Sequence, residues 1–203
     1  MFDPVHLAAL VASRICHDLI SPIGAISNGV ELVLMDGSAA TGQEMALIME
    51  SAASANARIR FFRVAFGQCA PDQRIARNEV TAILQDGQAG SRLTIRWDSP
   101  QDLPRRDVKM AFLAMLCLES ALIQGGQIDV SLSELGWDMT AKAPRLRVDT
   151  ALWDALANPN RAQWHDVGAG QVHFPLLSLE AARQHRLVQV AGGETAQMLQ
   201  LKF

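Results

Sequence analysis

The sequence predicts an α+β fold in two parts, an antiparallel helical hairpin over residues 1–70 and an α/β sandwich over residues 71–203. Three observations carry this reading. Two long helical runs with apolar stripes stand first in the chain and are joined by a short loop. Past residue 70 the purely helical pattern gives way to alternating helical and strand-like runs, and Pro71-Asp72 marks the junction. A lone hairpin encloses no core, so two copies packed face to face would complete a four-helix bundle and make the protein a homodimer. The competing arrangement packs both stripes on the C-terminal part of the same chain.

The first helix is expected from about Asp3 to Met35. Asp3 followed by Pro4 suits an N-cap and a first-turn proline. Leu7, Val11, Ile15, Leu19, Ile23, Ile26, Val30 and Val33 recur at steps of three and four. Pro22 lies inside the run and is expected to kink it, and Asp36-Gly37-Ser38 ends it. The second helix is expected from about Gln43 to Phe66, with Met45, Ile48, Ala52, Ala55, Ile59, Phe62 and Phe66 as its stripe; Gly67 closes it and Pro71 blocks its continuation. Beyond the junction, Asn78–Leu84 reads as a helix and Arg92–Trp97 as an alternating strand. Asp107–Ile123 is a long apolar helix stopped by Gly125-Gly126, and Gln127–Leu132 is a strand. Gly136–Lys142 and Arg145–Val148 are expected to form a further hairpin. Thr150–Ala157 and Val172–Gln184 read as helices, Leu187–Val190 and Met198–Phe203 as closing strands. Helices layered on a mainly antiparallel sheet follow from this order.

Composition narrows the function classes. The chain has 203 residues, 49% hydrophobic and 19% charged, which is ordinary for a globular protein. A formal net charge of -3 and the absence of any Lys/Arg run argue against nucleic acid as a partner. Cys16, Cys69 and Cys117 lack CxxC spacing, so no zinc site or disulfide framework is predicted, and idle thiols in a reducing cytoplasm are expected. No signal-peptide pattern and no stretch near the roughly 18 apolar residues of a membrane span is read, so the expectation is a cytoplasmic protein with no membrane partner. His165-Asp166 and His173 with His185 lack ligand spacing and read as surface or packing residues; Trp137, Trp153 and Trp164 are expected to pack under the sheet. No serine stands in a GxSxG context.

Helical phase singles out His17. It stands two residues from Ile15 and two from Leu19, about 200° of rotation from each, so it points away from the stripe. Ser13, Arg14, Ser21, Gly24 and Asn28, its neighbours at steps of three and four, are mostly small or polar, and another protein can approach the ring closely. The string Cys16-His17-Asp18-Leu19-Ile20-Ser21-Pro22-Ile23-Gly24-Ala25-Ile26, continuing into Asn28-Gly29-Val30-Glu31-Leu32, resembles the phosphoacceptor box of two-component histidine kinases. In its extended form it is more particularly similar to the ChpT-type histidine phosphotransferases of alphaproteobacteria. The resemblance implies that His17 accepts a phosphoryl group, and the chemistry agrees: a neutral imidazole, with an unperturbed pKa of about 6.5, is a competent nucleophile near neutral pH. It also implies that Asp18 orients the ring or acts as its base, since a carboxylate accepting one ring N–H fixes the tautomer. Arg14, Ser21, Pro22 and Asn28 stand as partner or phosphate contacts. For Arg14 a solvated helix charge is the competing reading. For Asn28 it is polar packing in the bundle, and for Pro22 a structural role that frees backbone near the site.

The same resemblance raises the question of nucleotide. Leu116-Cys117-Leu118-Glu119-Ser120-Ala121 followed by Gly125-Gly126-Gln127-Ile128 is similar in order to the asparagine-rich helix and strand of a kinase ATP-binding domain, but Leu116 and Ser120 stand where the asparagines align. Arg147-Val148-Asp149-Thr150 keeps an acid without glycines, and His173-Phe174-Pro175 replaces a glycine-rich loop, although cradling phosphate needs glycine for close backbone approach. The sandwich therefore reads as a degenerate ATP-binding domain. The implied function is a phosphotransferase that does not use ATP and binds no cofactor. It is loaded by the receiver domain of a hybrid histidine kinase and unloaded by response-regulator receivers, which supply magnesium. The alternatives are an ATP-dependent histidine kinase core or phosphatase, and an adaptor that docks receivers without carrying phosphate.

Overall fold

The computed structural model describes residues 3–35, 42–88, 90–159, 164 and 166–203. The expected turn at Asp36-Gly37-Ser38 and His165 lie outside the described residues.

Helix α1 spans Pro4–Met35 and α2 spans Gly42–Ala65. The Asp3 side chain accepts the Val5 amide at 3.1 Å, which is the expected cap. Gly29 meets Ile48 and Asp18 meets Arg58, so the contacts step in opposite directions and the pair is an antiparallel hairpin. α1 continues as helix through Pro22, which has no N–H to give the Asp18 carbonyl. The expected stripe is only partly covered: Ile23, Val30, Met45 and Ile59 are exposed, because each helix carries more apolar surface than one partner helix hides. The absence of a membrane-length segment is also corrected. α1 is long and apolar enough to cross a membrane by length and composition, because its Ala, Ile, Leu and Val outweigh its few charges; in the structure one side of it packs on α2.

The remainder runs β1 (Arg74–Ala76), α3 (Arg77–Gln88), β2 (Leu93–Asp98), β3 (Asp102–Pro104), α4 (Arg105–Ala121), β4 (Gly126–Ser133), β5 (Gly136–Lys142), α5 (Thr150–Ala157), a 3-10 turn (Ala169–Gln171), α6 (His173–Arg183), β6 (Gln189–Gly193) and β7 (Met198–Lys202). The main sheet has the order β2-β4-β5-β7-β6, with β2 and β4 parallel and the other pairs antiparallel. The three-residue strands β1 and β3 pair separately and were not expected. The expected second hairpin is corrected. β5 pairs with β4 and β7, while Arg145–Val148 is not a strand; there the Arg147 amide donates to the Ala121 carbonyl at 3.0 Å and the Val148 amide to Glu194 Oε1 at 2.8 Å.

α4 is the hub. Every residue from Met110 to Leu118 is buried, between the inward side chains of the sheet (Trp97, Ile128, Trp137, Met139) and the hairpin. Phe61 of α2 stacks on Phe112 of α4 with ring centroids 4.6 Å apart. Cations of α4 donate to carbonyls in the last turn of α2 and just past it, where helical partners run out: Arg105 Nη2 to Arg63 O at 2.7 Å and Lys109 Nζ to Gly67 O at 2.9 Å. Trp137 and Trp153 are buried and Trp164 packs partly buried against the same core, as the sequence suggested.

Candidate phosphoacceptor site

His17 stands on the outer side of α1 with its side chain 84% exposed, where helical phase placed it. Its Nδ1 lies 3.1 Å from Asp18 Oδ1. A carboxylate only accepts, so Nδ1 carries the proton and Nε2 presents its lone pair to solvent. Consecutive helical residues do not face each other, and the contact works because Asp18 turns inward: its side chain is 10% exposed. Arg14, one turn earlier, donates from Nε to Asp18 Oδ2 at 2.8 Å and from Nη1 to the Gly170 carbonyl at 2.8 Å. Two of its three nitrogens are thus engaged, one by α1 and one by the 3-10 turn of the sandwich. Ser21 and Asn28 are exposed along the same helix, and Pro22 is half-buried.

The sequence reading missed Arg58, whose Nη1 lies 3.8 Å from Asp18 Oδ2. An antiparallel register pairing Gly29 with Ile48 brings position 58 opposite position 18, so a register guess would have found it. Glu119 shares a cleft of about 300 Å³ between hairpin and sandwich with Arg14, Asp18 and Arg58, above a floor that includes Phe61 and Ile95. Surrounding protein raises the Glu119 carboxyl above its ordinary pKa by desolvation although its surface is open to the cleft; Arg14 and then Arg58 pull it back, and Asp18 pushes it further up. His173, at the start of α6, is 1% exposed. Among the described residues neither ring nitrogen has a hydrogen-bond partner, and burial, with the Arg14 charge adding to it, lowers its pKa to about 3.

Of the positions aligned with the nucleotide site's asparagines, Leu116 is buried and Ser120 is exposed at the end of α4. Ser120 Oγ donates to the carbonyl of Cys117 in its own helix at 2.6 Å. Trp153 and Phe174 meet edge to face at 5.1 Å, both buried.

Residues 77–196 match the family model of the histidine phosphotransferase C-terminal domain. The protein phosphotransferase ChpT of Brucella abortus (strain 2308) is 33% identical over 186 residues, covering 87% of this chain and 86% of its own. The chain belongs to the ChpT-type histidine phosphotransferases. A solved bacterial phosphotransferase superposes over 99% of this chain and 97% of its own, at 29% identity and a TM-score of 0.81. Within this family, the exposed ring and its carboxylate are the group whose position and free nitrogen suit carriage of a phosphoryl group.

Proposed function

We propose that His17 is the phosphoacceptor of a phosphorelay, loaded from the aspartyl phosphate of one receiver domain and unloaded to another. The observation that carries this is the pairing of Nδ1 with Asp18 on an exposed ring, which leaves Nε2 as the nucleophile. In the forward step the Nε2 lone pair forms a bond to phosphorus, the P–O bond to the receiver aspartate breaks, and that carboxylate leaves with its electron pair. The proton stays on Nδ1, where Asp18 stabilises the positive charge developing on the ring. The reverse step discharges the phosphoramidate to a second aspartate. Magnesium belongs to the receivers. Ser21, Pro22 and Asn28 border the approach, and Arg14 reaches the phosphoryl oxygens only by giving up one of its present bonds.

The active form is a cytoplasmic homodimer, built of a dimerising hairpin over residues 1–70 and a sandwich over residues 71–203 that binds neither ATP nor nucleic acid. The exposed Leu34, Met35 and Met49 support the dimer. The buried Leu116 and the filled Trp153–Phe174 contact support the loss of nucleotide.

Receiver domains charged with labelled acetyl phosphate test the central claim. Label is expected on the wild type and not on His17→Gln, and equal labelling of both overturns it. ATP binding competed away by ADP would restore the kinase reading.

A further inference from the structure

The carboxylate that holds His17 is itself held. One oxygen of Asp18, Oδ2, receives Arg14 Nε at 2.8 Å and faces Arg58 Nη1 at 3.8 Å, which leaves Oδ1 for the ring. Arg14 cannot swing freely, because the Gly170 carbonyl takes its Nη1. Glu119, carried by α4, opens on the same cleft as Arg14, Asp18 and Arg58. Asp86 also lines this cleft, where Arg60 pairs with it, and His173 beside the cluster is buried and neutral over the working pH range and adds no charge. Four elements thus contribute charged or polar groups around the cleft beside the Asp18 carboxylate: α1, α2, α4 and the turn before α6.

We propose that Arg58 and Glu119 are positioning residues for phosphoryl transfer. Arg58 fixes the Asp18 carboxylate from the second helix, and Glu119 offsets the two guanidiniums.

A carboxylate free to rotate leaves the tautomer of its histidine undefined, and the wrong tautomer hides the lone pair on Nδ1. Two guanidiniums on the far oxygen hold the near one toward the ring. They also work against the reaction, because a bond from Nε2 to phosphorus puts positive charge on the ring and cations nearby oppose it. An acid facing the same guanidiniums returns part of that field. Arg58 is 49% exposed, so solvent screens its influence and the effects are fractions of a pH unit.

This inference rests on the reading of His17 as phosphoacceptor, and its test is made on the unphosphorylated ring so that the two fail separately. Ring nitrogen NMR on 15N-histidine protein, with His17 assigned through His17→Gln, follows the titration of that side chain. Arg58→Ala is expected to raise the midpoint by roughly 0.3–0.6 units and Glu119→Gln to lower it by a similar amount, while Arg58→Lys holds it within about 0.1. Opposite signs are the signature, since a general loosening of the fold moves both variants the same way. Phosphorylation by phosphoramidate is expected to slow several-fold in Arg58→Ala and recover in Arg58→Lys. Shifts of the same sign, or none, overturn the proposal. Should Arg58→Ala not fold, the downward shift in Glu119→Gln and the unchanged midpoint of Arg58→Lys decide it.

Discussion

Packed against Phe174 at 5.0 Å, the His173 ring is closed off from water with neither nitrogen hydrogen-bonded among the described residues. The folded protein therefore refuses a proton that the unfolded chain accepts. An unfolded histidine titrates near 6.5 and His173 at about 3, so its neutral packing is fully stabilising above pH 6.5 and is lost progressively as pH falls toward 3. Between pH 7 and pH 5 the loss from this residue is about 2 kcal/mol, by linkage at about 1.4 kcal/mol per pH unit. His173→Leu removes an unsatisfied polar group, so it is expected to keep or raise stability at pH 7 and to abolish that part of the acid sensitivity. Urea melts of both proteins at the two pH values check this. Residue-level reading of the sequence went as far as one element's own geometry allows. His17 is placed by phase alone, whereas Arg58 meets Asp18, and Glu119 enters the same cleft, only through the way separate helices meet.

Among the elements, the crossing of α1 on α2 turns on Gly29. A Cβ added there would lie 2.6 Å from Ile48 Cγ1, closer than the two helices allow. Gly29→Ala gains roughly 1 kcal/mol of helix propensity. Against that, overpacking the stiff β-branched Ile48 is expected to give a net loss of about 1–2 kcal/mol. Ile48→Ala in the same chain should restore most of the lost packing, which a double-mutant cycle of denaturant melts measures. The long helices were legible because their apolar periodicity runs over many turns. β1 and β3 were not, since three residues carry no period, and Arg145–Val148 misled because its composition suits a strand while its amides are taken by Ala121 and Glu194. At Gly125, with φ of 89° and the Arg92 carbonyl 2.4 Å from where a Cβ would stand, the sequence signal and the backbone requirement coincide.

For the whole molecule, the proposed dimer draws on the apolar surface that the hairpin leaves uncovered. Leu34 is 76% exposed and Met49 66%, large apolar side chains left open to solvent on both helices of the hairpin. Light scattering on the eluted protein is expected to give a dimer mass, and Leu34→Asp with Met49→Asp to give a folded monomer; a wild-type monomer at micromolar concentration counts against the bundle. The hairpin and the sandwich are tied by Arg14 on the Gly170 carbonyl and by Arg105 and Lys109 on the Arg63 and Gly67 carbonyls, at the end of α2 and just past it. No sequence pattern announces such ties, because each joins residues far apart in the chain.

Those ties bear on how a signal would be divided. A kinase that loads its own histidine must carry nucleotide to it, which calls for a catalytic part that travels. Here the sandwich is pinned beside the histidine it serves. On the relay reading, the ring then stands open to every client at all times, and clients exclude one another by occupying the same face. On that reading, traffic along each branch follows from the relative abundance and residence time of the clients that share this one berth.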